Sequence, residues 1–357
     1  MTHPPRYRVF DGHNDLLHRL WENYRSDPAQ AFLNGTDDGH LDWPRMQLGG
    51  FMGGLFALWI PSASLDGERK TAAPWQDNPV LSQFEIPTLC ESQSYIFDAL
   101  SMLLRIEESC PQQLKVCRSV VDIQQAMASC QVAVVIHMEG AEAIDQSLYL
   151  LDILHAAGLR SLGPVWSRPT CFGDGVKFRF PSSPDTGFGF NKTGLELIKS
   201  CHRKGIVVDV SHMDERGFWQ TAELGGAPLV ASHSNAHALC AQSRNLTDAQ
   251  LHAIRDSHGF VGVNFAAKFL AENGQANPED GEEQQVRHIE YLLEHVGEDC
   301  VGFGSDFDGC RTPAQFGDVT GLPKIFTALE KRGYDAELLN KIAHKNWLRV
   351  LKATWGE

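Results

Sequence analysis

Val132-Ala133-Val134-Val135-Ile136 is an unbroken apolar run, and the chain repeats the pattern. Gly53–Ile60, Ile206–Val210, Pro228–Ala231, Phe260–Phe265 and Cys300–Gly304 are also apolar along most of their length, as are the shorter Tyr7–Phe10 and the stretch Leu159–Trp166. A strand with one wet face alternates apolar and polar residues. A strand that does not alternate must be covered on both faces, which is the situation in a parallel sheet clothed by helices. Between these runs lie helical stretches. Leu89–Glu108 places Ile96, Leu100, Leu103 and Leu104 near a helical period, and Leu16–Tyr24, Asp122–Ser129, Ile144–Ala157 and Glu282–Val296 follow suit. Asn191, Asp214 and Thr247 stand where capping residues open helices, and 323–332 and 335–355 close the chain.

About eight strand–helix units in 357 residues predict a (β/α)8 TIM-like barrel. The alternative is a doubly wound open sheet, against which no Gly-x-Gly-x-x-Gly follows the first strand. No composition break divides residues 1–357, so a single domain is expected. Ser26–Trp43, Pro61–Pro87 and Cys171–Gly189 read as loops.

Many of the apolar runs end in a metal-binding residue type. His13 and Asp15 follow the first, Glu139 the 132–136 run, His212 the 206–210 run, His233 the 228–231 run and Asp306 the 300–304 run. In a barrel these strand ends converge on one face, where active sites sit. Any one of them alone is explained by a turn or a satisfied core residue; six at successive strand ends are not. Imidazole and carboxylate without thiolate suit a borderline divalent ion such as Zn2+. One tetrahedral site needs three protein groups, so this set predicts two zinc ions per chain with Glu139 placed to bridge them. His137 shares a strand face with Glu139 and is either a supporting group or simply packed.

The formal net charge of −14 and the lack of a Lys/Arg cluster exclude general nucleic-acid binding. No apolar run approaches the ~20 residues needed to span a bilayer, and no secretory h-region is visible at the start, so no membrane association is expected. Nine scattered cysteines without a Cys-x-x-Cys pair predict reduced thiols and a cytoplasmic location.

The set of motifs resembles the membrane (renal) dipeptidase family of zinc metallopeptidases, in the amidohydrolase-like superfamily. The resemblance rests on Asp11-Gly12-His13-Asn14-Asp15-Leu16, Gly50-Phe51-Met52-Gly53-Gly54, Met138-Glu139-Gly140, Val210-Ser211-His212, Ser232-His233-Ser234-Asn235-Ala236, Ser243-Arg244-Asn245 and 302–309, and it covers nearly the whole chain. It implies that His13 and Asp15 hold one zinc, that His212 and His233 hold the other, and that Glu139 bridges them with a bridging water as nucleophile. Asp306 resembles the acid/base that passes the water's proton to the leaving amine and meets the substrate's amino group. Arg244 resembles the clamp for a dipeptide's carboxylate, a task suited to a planar fork of donors. A homodimer is implied by the same resemblance.

One departure stands out. Where the family usually reads Leu-Thr-His, this chain has Pro164-Val165-Trp166-Ser167-Arg168, with Trp166 in place of the histidine that meets the substrate carbonyl. An indole offers one N–H donor and carries no proton charge. Arg168 either supplies that charge to the substrate or is an ordinary loop cation. The expected activity is therefore zinc-dependent hydrolysis of small dipeptides. The alternatives are hydrolysis of another small amide, such as an N-acyl or D-amino-acid derivative, and a metal-binding pseudoenzyme.

Overall fold

In a computed structural model, residues 5–62 and 86–356 are described. Most of the 61–87 stretch read as a long loop lies outside them. Nine strands among the described residues form one sheet: β1 (Val9–Asn14), β2 (Phe51–Trp59), β3 (Leu114–Val116), β4 (Val132–Glu139), β5 (Leu159–Gly163), β6 (Val207–Val208), β7 (Val230–Ala231), β8 (Phe260–Val263) and β9 (Val301–Phe303). Every pairing is parallel, in the order β6-β5-β4-β2-β1-β9-β8-β7, with β3 an extra strand on the first half of β4. The two ends of that order meet. Asp209 bridges Val230 in parallel, and the Val210 N–H donates to the Val230 carbonyl at 2.8 Å. Eight parallel strands therefore form a nearly closed ring, which is the (β/α)8 arrangement and not the open sheet.

The strands supply two cores. Residues on the outer face, such as Val132, Val134 and Ile136 of β4, are buried under the helices. Those on the inner face, Phe10, Leu55, Ala133, Val135, Val207, Val230 and Phe260, fill the barrel. Trp347, from the helix Asn346–Trp355, closes this inner cluster: its ring lies 4.0 Å from that of Phe260, and its Nε1–H donates to the Phe303 carbonyl at 2.9 Å. The barrel is narrow above this plug. A Cβ on Gly12, Gly262 or Gly304 would lie 2.1, 2.1 or 1.9 Å from the Ser232 carbonyl oxygen, so those positions admit no side chain without backbone movement.

Three readings change. The 26–43 stretch is not all loop: helices run Pro28–Asn34 and Trp43–Gly49. Asp27 and Asp42 cap them, and Pro28 and Pro44 sit in their first turns, where a missing N–H costs nothing. The strand expected to reach Trp166 ends at Gly163, because Pro164 cannot donate to a ladder and the chain folds back to bridge Trp166 with Arg168. The helix expected from Ile144 begins at Tyr149.

Candidate metal centre

The two-residue period of β4 builds the floor of the site. Ala133 and Val135 face the barrel interior, so His137 and Glu139 face it one and two layers higher. The apolar lower layers thus give way to buried polar groups at the carboxyl ends of the strands. There the structure brings His13 and Asp15 from the end of β1, Glu139 from β4, His212 beyond β6, His233 beyond β7 and Asp306 beyond β9 into one cluster, with His13, Asp15, Glu139, His212 and His233 all buried.

Glu139 presents one oxygen to each half of that cluster. Its Oε1 lies 3.0 Å from His212 Nε2 and 3.4 Å from His233 Nε2, and those two nitrogens are 3.1 Å apart. Its Oε2 lies 3.6 Å from His13 Nε2, which is 3.3 Å from Asp15 Oδ2. For bonds of about 2.0–2.1 Å to imidazole nitrogen and carboxylate oxygen, tetrahedral ligand atoms stand about 3.4 Å apart. The spacings are of that size, so both halves fit a divalent cation. The charges call for one too. Burial pushes the Glu139 carboxyl far above the ordinary range and raises Asp306 to about 6, with Asp15 adding to both. Burial opposes a proton on His13, but Glu139, Asp15 and Asp306 outweigh it and raise His13 to about 10. His212 and His233, buried and flanked by Arg244, are held well below the usual imidazole range and so are neutral, able to offer a lone pair to a cation. Asp15 Oδ1 is buried with no hydrogen-bond partner among the described residues.

Asp306 sits in the left-handed region, φ 61°, where the short Asp side chain is tolerated. Its N–H donates to the His13 carbonyl at 2.9 Å, and its Oδ2 accepts from Asn264 Nδ2 at 3.0 Å. Gly309 makes room for it: a Cβ there would fall 2.0 Å from Asp15 Oδ2 and 2.4 Å from Asp306 Oδ1. Arg244 is buried on the other side, donating to Ser234 Oγ at 2.7 Å, the His233 carbonyl at 2.8 Å and His212 Nε2 at 3.3 Å. Burial lowers its pKa to about 10.

The Trp166 ring stands 5.9 Å from that of His212, in an aromatic wall with Trp59 at 5.3 Å and Phe178 at 5.9 Å. Arg168 lies behind that wall. Its Nε donates to Glu142 Oε1 at 2.6 Å, its Nη1 to Ser62 Oγ at 2.5 Å and its Nη2 to the Ile60 carbonyl at 2.6 Å. Its guanidinium carbon is 5.4 Å from the Trp166 ring and 5.8 Å from the Trp59 ring. His137 lies beneath the cluster, with Nδ1 2.9 Å from Ser161 Oγ and Nε2 3.7 Å from Asp209 Oδ2.

Asp11, Ser167, Asp209, Ser211, Ser232, Asn264 and Ser305, to which the sequence alone gives no role, hold the site from outside. Asp11 accepts both the N–H and the hydroxyl of Ser305, at 2.7 and 2.8 Å, tying the ends of β1 and β9 together. Several of these stand within two residues of a histidine or carboxylate of the cluster, which is the signal the sequence offers for them.

The sequence profile of the membrane dipeptidase family (Peptidase family M19) matches residues 5–355. The chain belongs to the membrane dipeptidase family. Among solved members, a metallo peptidase from Rhodobacter sphaeroides, liganded with a phosphinate mimic of the dipeptide L-Ala-D-Ala, is 46% identical with a TM-score of 0.91, covering 98% of this chain and 99% of its own. The dipeptidase AC, of the same M19 metallopeptidase family, is 45% identical with a TM-score of 0.90 over the same shares. The dipeptidase ataJ of Aspergillus terreus is 27% identical, covering 97% of this chain and 84% of its own. Membership makes this barrel a metal-dependent peptide-bond hydrolase of the dipeptidase kind. The family name speaks of a membrane, but no helix among the described residues is long and apolar enough to cross one. All nine cysteines are free thiols.

Proposed function

We propose that this dipeptidase binds two zinc ions per chain, one on His13 and Asp15 and one on His212 and His233, with Glu139 between them. The observation that carries this is the division of the Glu139 carboxylate, with Oε1 toward one histidine pair and Oε2 toward the His13–Asp15 pair. Zinc bound there supplies a water of near-neutral pKa and polarises the scissile carbonyl. The remaining steps fall to the chain itself. Asp306, held by Asn264, takes the attacking water's proton and returns it to the leaving amine, and it faces the substrate's amino group. Arg244, the buried cation nearest the histidine pair, draws in the substrate carboxylate. Trp166 borders the substrate as part of the aromatic wall. The ion pair with Glu142 supports a role for Arg168 in holding Trp166, rather than in placing charge on the substrate.

The substrates proposed are small dipeptides, including those with a D-residue at the carboxyl end, as the ligand of the Rhodobacter sphaeroides relative suggests. The whole chain acts as one catalytic domain, a homodimer in a reducing, cytoplasmic setting. The test is a panel of L-Xaa-L-Xaa and L-Xaa-D-Xaa dipeptides and N-acyl amino acids on zinc-loaded protein, with elemental analysis alongside. Turnover of dipeptides with two ions per chain is expected. Turnover of N-acyl substrates alone refutes the substrate class, and one ion or none refutes the paired site.

A further inference from the structure

We infer that Asp209 and Ser232 form a proton-ordering chain that sets which ring nitrogen of His233 faces the metal. The inference rests on the metal site proposed above.

The direction of each hydrogen bond follows from counting protons. Asp209 is buried and accepts from four donors. Its Oδ1 takes the Ser211 N–H at 3.0 Å, the Ser211 hydroxyl at 2.7 Å and the Ser232 N–H at 2.8 Å, and its Oδ2 takes the Ser232 hydroxyl at 2.5 Å. A carboxylate so surrounded is an acceptor only. Ser232 has one hydroxyl proton, and Asp209 receives it. The Ser232 oxygen, 2.7 Å from His233 Nδ1, can then only accept from that ring, so Nδ1 carries the hydrogen. The bare lone pair of the neutral ring is on Nε2, the atom that faces Glu139 Oε1 and His212 Nε2. Asp209 never reaches the ring itself, its Oδ2 being 4.0 Å from Nδ1.

His212 differs. Its Nδ1 meets Ser167 Oγ at 2.8 Å, but among the described residues no carboxylate stands behind that serine. There the Arg244 N–H, donating to His212 Nε2 at 3.3 Å, leaves the hydrogen on Nδ1, so the two histidines are ordered by different groups. Groups that orient a ligating histidine typically contribute about 10–100-fold to metal affinity. That contribution is expected at His233 from a serine, and from an aspartate one residue further out. Both are positioning residues, acting through the imidazole.

The experiment compares wild type, Ser232→Ala, Asp209→Asn and Ser211→Ala as zinc-loaded full-length proteins. Zinc affinity is measured by chelator competition, and the His233 Nδ1–H is followed as a slowly exchanging, downfield imidazole proton in NMR. Ser232→Ala is expected to lose that proton signal and about 10–100-fold in affinity for one of the two ions. Asp209→Asn is expected to weaken the same ion, and it carries the test if Ser232→Ala does not fold. Ser211→Ala removes a hydroxyl from the same carboxylate but not from the ring, and should keep the signal. Wild-type affinity and an intact Nδ1–H signal in Ser232→Ala overturn the inference, as does equal loss of the signal in Ser211→Ala. A wild-type protein that takes up no zinc instead refutes the metal site, which separates the two failures.

Discussion

Replacing Arg168 with Ala separates a structural cation from a substrate-binding one. The Arg168 and Glu142 side chains are 1% and 2% exposed and 2.6 Å apart, so neither charge is screened by water. Removing the arginine leaves Glu142 buried without its partner, for which about 3–5 kcal/mol is the usual loss. Ser62 Oγ and the Ile60 carbonyl lose their donor as well, and a net hydrogen bond contributes about 1 kcal/mol. These terms overlap, so about 4 kcal/mol is expected for Arg168→Ala, a large part of an ordinary domain's stability of about 5–15 kcal/mol. Arg168→Lys keeps the charge but offers a point rather than a fork, and should recover only part of the loss. The double variant Arg168→Met with Glu142→Leu removes both charges, so it should be less destabilised than Arg168→Ala alone. Urea unfolding at fixed zinc and protein concentration measures this, since ligand binding shifts the midpoint by mass action. The same preparations give kcat and KM for the folded enzyme. If Arg168→Ala unfolds at the wild-type midpoint while kcat falls a hundredfold or more, the ion pair is not structural and Arg168 faces the substrate.

Asp306→Asn should retain its full metal content but lose about 10²–10⁴ in kcat, because the amide keeps the shape and cannot accept a proton; metal loss on elemental analysis would make Asp306 a ligand instead. Gly309→Ala should fold yet lose metal from the His13–Asp15 half and activity with it, since the new methyl lands on both carboxylates; a wild-type metal content disproves this. His288 accepts the Ala236 N–H on Nδ1 and donates from Nε2 to the Leu270 carbonyl, and burial lowers its pKa to about 4. Folded protein therefore keeps this ring neutral where the unfolded chain, near 6.5, takes a proton. Its contribution is complete above about pH 6.5 and falls away toward pH 4, by about 3 kcal/mol for a shift of this size. His288→Gln should flatten the stability profile between those pH values by a like amount, and identical slopes for the two proteins would contradict it.

The barrel and the cluster of His and carboxylate groups at its upper end are legible in the chain because both are local signals. Non-alternating runs such as Val132–Ile136 demand cover on both faces, and a polar residue just beyond such a run must lie at a strand's carboxyl end. That is enough to place His13, Asp15, Glu139, His212 and His233 at one end of the barrel from the sequence alone. The short helices after Asp27 and Asp42 are hidden in the sequence because their Pro-containing first turns resemble loop, although the caps are present.

What only the tertiary structure decided is which atoms face which. Arg168 stands two residues from Trp166 in the chain, and nothing local says that its charge is taken by Glu142 and by residues of the stretch after β2. Asp209 and Ser232 stand just beyond the ends of β6 and β7, and their hydrogen bond exists only because those two strands close the ring. The room that Gly309 leaves for two carboxylates depends on β1 and β9 being adjacent. Periodicity along a chain records which side of an element is buried. It carries no information about the partner across the barrel, and the direction of a hydrogen bond depends on that partner.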